Sequence, residues 1–228
     1  GMVLDGHYTV QDQDSYFAGS SNHIVDTVLR HYSLTPRFTY DYQLKNMPSK
    51  NIFGIDMNYA DYSSDRKASV HVTQPKQRHE SNQLSVSLYS QNSVSLSDNI
   101  NLSGGLRFQR MLFNGGTVLH KDAEGDPDAE DNDTISQSDN RLGANIGIEY
   151  FLQPKFSVFG RSARSFRIAN IDERIGADGS SMALKPQISF DFEIGTLYEK
   201  NKLSIQSSIY LMFLRNEIYF NSSNSKNL

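Results

Sequence analysis

Between residues 81 and 114 the chain alternates apolar and polar side chains over an unusual length. Leu84, Val86 and Leu88 fall on one side, and Gln83, Ser85, Ser87, Tyr89, Gln91, Ser93 and Ser95 on the other. Asp98-Asn99 reads as a turn. Beyond it Ile100, Leu102, Leu106, Phe108 and Leu112 resume the apolar side, against Asn101, Ser103, Gly105, Arg107 and Gln109. A period of two is the side-chain geometry of a pleated strand. Soluble strands cluster near about 5–6 residues, whereas a tilted strand crossing a bilayer needs roughly 9–11. The pattern predicts an all-β, antiparallel transmembrane barrel meander, apolar towards lipid and polar towards a lumen. Leu84, Val86, Leu88, Leu106 and Phe108 are expected to face outward.

The same reading along the chain predicts strands near 35–44, 51–62, 82–96, 100–113, 141–152, 156–166, 187–198 and 203–220, with another ending near Val10. Short turns at 45–50, 97–99, 153–155 and 199–202 each carry the Pro, Asn or Asp of a tight reversal. Longer connections at 11–30, 63–80, 114–140 and 167–186 all fall on the other side. Barrels of the outer membrane sort their connections in this way, with short turns towards the periplasm and long loops outside. One barrel region therefore spans 1–228. Eight or nine strands leave the last without a returning partner, and the chain closes on a polar stretch, while membrane barrels leave no open edge. A partial segment of about 8–10 strands from a larger barrel is expected. Gly1-Met2 reads as an added start, so an exported gene product is expected to begin earlier.

Composition narrows the classes. Net charge is −4, so no basic field invites nucleic acid. Cysteine is absent, which removes disulfide scaffolds, thiolate metal sites and cysteine nucleophiles together. Mean hydropathy is −0.53 and no apolar run approaches the roughly 18 residues of a spanning helix. A barrel tolerates that polarity because only alternate residues meet lipid. Tyrosines and phenylalanines gather near predicted strand ends, among them Tyr40, Tyr42, Tyr59, Tyr62, Tyr150, Phe151, Phe156, Tyr198, Tyr219 and Phe220, where interfacial girdles would lie.

Several ordered motifs resemble the TonB-dependent outer-membrane receptors of siderophore-receptor type. Arg164-Ser165-Phe166-Arg167 and Asn170-Ile171-Asp172-Glu173 match the family's strand-to-loop motif, with Ala169 where proline is common. Leu184-Lys185-Pro186, Phe192-Glu193-Ile194-Gly195 and Arg215-Asn216-Glu217-Ile218 follow in the family's order. Upstream, Leu96, Ser97, Asp98, Leu102, Gly104, Gly105, Leu106 and Arg107 fit the family's "L-S-D-x-x-x-L-x-G-G-L-R". The resemblance implies a plugged barrel of about 22 strands, in the outer membrane of a Gram-negative bacterium. It implies active uptake of a scarce ligand, most often a ferric siderophore. The implied partners are a TonB-type energy-coupling protein acting through a plug domain absent from this chain, a ferric chelate or similar small ligand, and outer-membrane lipid. The chain by itself would be expected neither to gate nor to transport.

Candidate chemistry is sparse. Arg107, Arg110, Arg161, Arg164 and Arg167 lie on neighbouring predicted strands, Arg107 and Arg161 on the lumen-facing parity, and the arginine fork suits carboxylate or phosphate groups of an anionic chelate. The competing reading pairs them with lumen or plug carboxylates that hold the barrel together. Residues 121–133 carry seven carboxylates and one base, Lys121, at their start. Asp122, Glu124, Asp126 and Asp128 have the alternate spacing of a calcium loop, but Pro127 and the missing terminal Glu break the EF-hand pattern. A solvated, self-repelling loop is the preferred reading of them, with calcium binding second. His71 and His79 share a long connection without helical spacing; the resembling haem-uptake receptors carry a histidine after the Phe-Arg motif, and none follows Phe166 here, so haem is disfavoured as the ligand. No nucleophile elbow or phosphate-binding loop occurs, so the chain is expected not to be an enzyme. Two other readings stand: a small complete barrel acting as a passive pore or adhesion protein, and a soluble extracellular binding module.

Overall fold

The computed structural model describes residues 1–17, 23–67, 75–120, 130–174, 182–221, 223 and 226–227. Nine strands pair in strict sequence order as one antiparallel sheet. They are β1 (Met2–Phe17), β2 (His23–Leu44), β3 (Met47–Lys67), β4 (Gln77–Ser97), β5 (Ile100–His120), β6 (Glu130–Gln153), β7 (Phe156–Arg167), β8 (Gln187–Lys200) and β9 (Leu203–Arg215). A single 3-10 turn, Asp172–Arg174, follows β7. A two-residue hairpin, β10 (Phe220–Asn221) with β11 (Lys226–Asn227), follows β9. Among the described residues β1 and β9 pair on one side only, and the sheet is not closed.

The short turns lie where the sequence expects them, and their chemistry is legible. Lys45 and Asn46 both have positive φ (48° and 68°), the backbone of a two-residue hairpin turn whose twist matches the flanking strands. Asn201 takes the same region at φ 56° in the β8–β9 turn. Asn216, at φ 51°, ends β9 well before the expected residue 220. Small register shifts at Ser95/Ser97 and Phe151/Gln153 place bulges at the same end of the sheet.

At the opposite end the strands run much further than the alternation suggests. Most of the expected connections at 11–30, 63–80 and 114–140 are strand: β1 reaches Phe17, β3 reaches Lys67 and β5 reaches His120. Asn114 pairs with Ser136 and Thr117 with Asp133, so the ladder continues where the apolar–polar pattern has stopped. Backbone hydrogen bonds need no apolar face. Once both faces meet water, only the pattern disappears.

Register puts the apolar positions of neighbouring strands on one side. Leu88 lies opposite both Ile55 and Phe108, and Leu84 opposite Tyr59 and Leu112. Leu106 is 60% exposed and Ile194 67%, values that fit a face meant for lipid rather than a core. Val86 shares that side and is half-buried. The apolar belt is about a dozen residues deep on each strand, the span of a tilted bilayer crossing. Aromatic rings mark both limits. Tyr40 and Tyr42 stack at 5.8 Å near the turn end. Tyr8, Tyr32 and Tyr59 form a cross-strand row at the other limit, with centroid spacings of 4.7 and 6.2 Å. Tyr62 departs from the expectation: it faces inward, 6.1 Å from the ring of His79.

Beyond the tyrosine row the outward side turns ionic. Arg30–Asp61 (3.3 Å), Lys67–Asp26 (2.6 Å) and Arg78–Asp65 (2.8 Å) pair across adjacent strands. The hydrogen bond that Lys67 donates to Asp26 holds its ammonium above its ordinary pKa, and the bonds Arg78 donates to Asp65 do the same for Arg78.

Candidate functional site

The inward wall is built from a repeated unit: an aromatic ring laid across a glycine, with an arginine over the ring. Tyr89 lies over Gly54, where an added Cβ would sit 2.5 Å from its hydroxyl oxygen. The Arg107 guanidinium is 5.8 Å from the Tyr89 centroid and bonds Asp56 at 2.5 Å. Phe159 lies over Gly195, and Arg161 sits 5.2 Å from that ring while bonding Glu193 at 2.8 Å. Phe113 lies over Gly115, with Arg174 at 4.8 Å. Glycine leaves the hole, the ring fills it, and the ring face attracts the cation. A Cβ on Gly195 would approach Phe159 Cζ and the Ser207 carbonyl oxygen at 2.6 Å each. Gly195→Ala is therefore expected to cost about 1–3 kcal/mol of barrel stability. Thermal unfolding should register it, whereas Gly6→Ala, whose Cβ meets nothing nearer than 4.0 Å, should leave the midpoint in place.

Arg107 is also held by Ser87 Oγ (2.8 Å), and Gln109 links Arg107 to Ser85. Between the first two units the wall forms an open recess of 830 Å³. Glu149, Asp191 and Glu193 line it with Arg161 as the cation, so its charge is acidic. Ser157 donates to Glu149 at 2.6 Å.

The third unit lies under a strap. After β7, residues 168–174 fold back over the inward face of β5 and β6. Arg167 Nη1 donates to both Glu173 carboxylate oxygens (2.9 and 2.8 Å), and the Asn170 backbone N–H donates to Glu173 Oε2 (2.8 Å). Ala169 and Ile171 are buried, and Ile171 joins Met111 and Phe113 in a small core flanked by Ala60, Tyr62, Ile135 and Ile168. The return limb is tied by Met182 N–H to the Arg174 carbonyl (2.8 Å) and by Gln137 Nε2 to the Leu184 carbonyl (2.9 Å). Leu184 and Pro186 are buried there.

Arg174 is fully buried beneath this strap. Its Nη1 donates to Gln137 Oε1 at 2.6 Å, while Nε and Nη2 meet no acceptor. Burial pulls its pKa down, partly offset by Asp139 and Glu173. Asp139 in turn bonds Gln137 (2.6 Å) and Arg141 (2.7 Å).

The five arginines expected to form one ligand wall are divided by parity. Arg107, Arg161 and Arg167 face inward, each with a carboxylate partner. Arg110 shares its side with Val86, and Arg164 with Phe190, so both face outward. They also sit on β5 and β7, which β6 separates. The odd spacing between 107 and 110, and between 161 and 164, turns one member of each pair through the sheet. Asp122, Glu124, Asp126 and Asp128 lie outside the described residues, as does His71. His79 is buried, with its Nδ1 2.8 Å from Thr117 Oγ1. Among the described residues no group of three or more metal-ligating side chains is assembled. Gly105, at the sequence's glycine pair, makes room for Asn145: a Cβ there would lie 2.9 Å from Nδ2. Tyr89, Phe159, Gly54, Gly195 and Arg174 escape the sequence reading because their pairing depends on register. The signal available was an inward-parity aromatic on one strand and a lone glycine on the next.

An open, meandering wall of long strands, greasy outside and charge-paired inside, defines one side of a membrane β-barrel. The chain belongs to the TonB dependent receptor-like, beta-barrel family, whose model matches residues 4–228. It is a receptor-barrel chain and not an enzyme. A search of curated proteins by sequence returns no match. Among solved structures it resembles the hemophore receptor HasR of Serratia marcescens, seen there with its hemophore HasA and heme (TM-score 0.75, 17% identity, 96% of this chain and 37% of that one). The ferric yersiniabactin uptake receptor FyuA of Yersinia pestis superposes at TM-score 0.69 with 14% identity, over 95% of this chain and 34% of that one. The ferric-catecholate import receptor Fiu of E. coli K12 superposes at 0.69 with 13% identity, over 99% and 40%. The chain thus spans between a third and two fifths of these receptors, and the likeness is one of fold.

Proposed function

We propose that this chain forms part of the barrel wall of a Gram-negative outer-membrane receptor that takes up a scarce ligand, with a ferric siderophore as first candidate. Uptake would be energised by a TonB-type complex through a plug domain lying elsewhere in the receptor. The observation carrying this reading is the family match over 4–228 on a sheet whose apolar belt faces out and whose paired charges face in. The short-turn end then faces the periplasm and the strap faces outside. Of the five candidate arginines, Arg107, Arg161 and Arg167 lie on the inward side, and the acidic recess argues for wall and plug contacts over capture of a free anion. Several structural neighbours are ferric-chelate receptors, which supports the iron reading. The hemophore receptor's likeness adds nothing towards haem, since no histidine follows His120. The open sheet weighs against a small complete pore.

The test is accumulation of radiolabelled iron from ferric siderophores, in iron-starved cells lacking the receptor and in cells complemented with it whole. Complementation should restore uptake, and a protonophore should abolish it. Uptake that persists in de-energised cells would favour the passive pore, and uptake independent of the receptor would end the proposal.

A further inference from the structure

We propose that Arg164 and Arg215, flanking Phe190 at the loop-end rim of the apolar belt, hold the phosphate of a phosphorylated lipid headgroup. Both guanidinium carbons lie 5.9 Å from the Phe190 centroid. Arg164 is the cross-strand neighbour of Phe190, and Arg215 pairs with Ile188, one outward position further along β8. All three side chains occupy the outward side of β7, β8 and β9.

Arg30, Arg78, Arg107, Arg141, Arg161 and Arg167 each have a carboxylate within ion-pair distance. Neither Arg164 nor Arg215 pairs with a carboxylate among the described residues, and Glu217, just past β9, bonds neither. Other arginines, Arg110 among them, also lack an ion pair among the described residues, but only Arg164 and Arg215 share one ring there. Two like charges sharing one ring repel each other, and a bridging anion would relieve both. Arg164 Nη1 donates to the Leu142 carbonyl, which anchors that guanidinium while leaving its other donors available.

Position decides the kind of anion. Towards the turn end the strip continues through Phe192 (49% exposed), Leu211 (55%), Ile194 (67%) and Ile209 (78%), an uninterrupted apolar surface facing lipid. A headgroup phosphate at the arginines would lay its acyl chains on that strip. A free phosphate would make no use of it. The guanidinium fork matches phosphate oxygens in pairs, and an aromatic ring at the headgroup level belongs to such a boundary.

The inference rests on the outer-membrane reading, which the belt substitution discussed below tests separately. The intact receptor, purified in detergent, would be titrated with bis-phosphorylated lipid A, the same lipid without phosphate, and inorganic phosphate, with binding followed by native mass spectrometry. The phosphorylated lipid should bind, and Arg164→Gln with Arg215→Gln should weaken it by about tenfold or more. Arg164→Lys with Arg215→Lys should keep most of the binding. Siderophore uptake and the heat-modifiable mobility of a folded barrel should be unchanged in both. Should the double glutamine variant fail to fold, Arg215→Gln alone carries the test, with a several-fold loss expected. Unchanged binding in the folded variants, equal binding of the phosphate-free lipid, or saturation of the site by inorganic phosphate would each overturn the proposal.

Discussion

Phe113→Ala is expected to free the strap while leaving the nine-stranded ladder in place. Phe113 is 1% exposed and holds three things together: the ring covers Gly115, packs against Met111 and Ile171, and carries Arg174 on its face. Truncation removes all three contacts and opens a cavity beneath a guanidinium with two unpartnered nitrogens. A buried Phe→Ala change costs about 3–5 kcal/mol. The loss should be local, because strap residues 168–174 join the sheet through this core and the Arg167–Glu173 pair, whereas the strands are held by their own ladders. Hydrogen exchange should show 168–174 opening many-fold more often, with β5 and β6 little changed. Equal protection of the strap in the variant and the parent would show that the polar ties, Arg167–Glu173 and Arg174–Gln137, suffice.

Leu106→Arg is expected to be the most damaging change on the belt. Leu106 lies midway between the turn end and the far rim, on the outward side, and is 60% exposed to what would be hydrocarbon. Arginine at the midplane of a membrane barrel costs about 2–4 kcal/mol. Denaturant unfolding of the whole receptor in lipid vesicles should show that loss. Gln91→Arg is the control, since Gln91 pairs with Gly105 on the inward side and lines the open recess. It should leave stability nearly unchanged. Equal losses at both positions, or none at Leu106, would refute the assignment of the apolar side to lipid.

The strap shows why a motif can be legible before its reason is. Arg167, Asn170 and Glu173 stand out in the sequence by their spacing, yet spacing alone does not say that one carboxylate receives both the arginine and the Asn170 N–H. Ala169, the one departure from the resembling motif, is buried against the sheet. Leu184 and Pro186 likewise prove to be the return limb's buried contacts. Arg174, which closes the arrangement, carries no marker in the sequence, because its partners lie on β5 and β6, far along the chain.

By itself the sequence determined the local geometry: reversals near Asn46, where the structure shortens the expected 45–50 turn to two residues, and at Asp98-Asn99, strands of alternating character, and which side of each strand is apolar. These follow from near-neighbour sterics and from a period of two, both contained in short stretches of chain. Tertiary structure alone decided the rest. It extended the strands past the belt, where ladders persist without any pattern. It paired Arg107 with Asp56 and Arg161 with Glu193 across the lumen wall. It also set Tyr89 and Phe159 over glycines of the neighbouring strands. Each of these depends on register between strands, and register is fixed by the sheet as a whole, where a shift of one residue would turn every side chain to the other face.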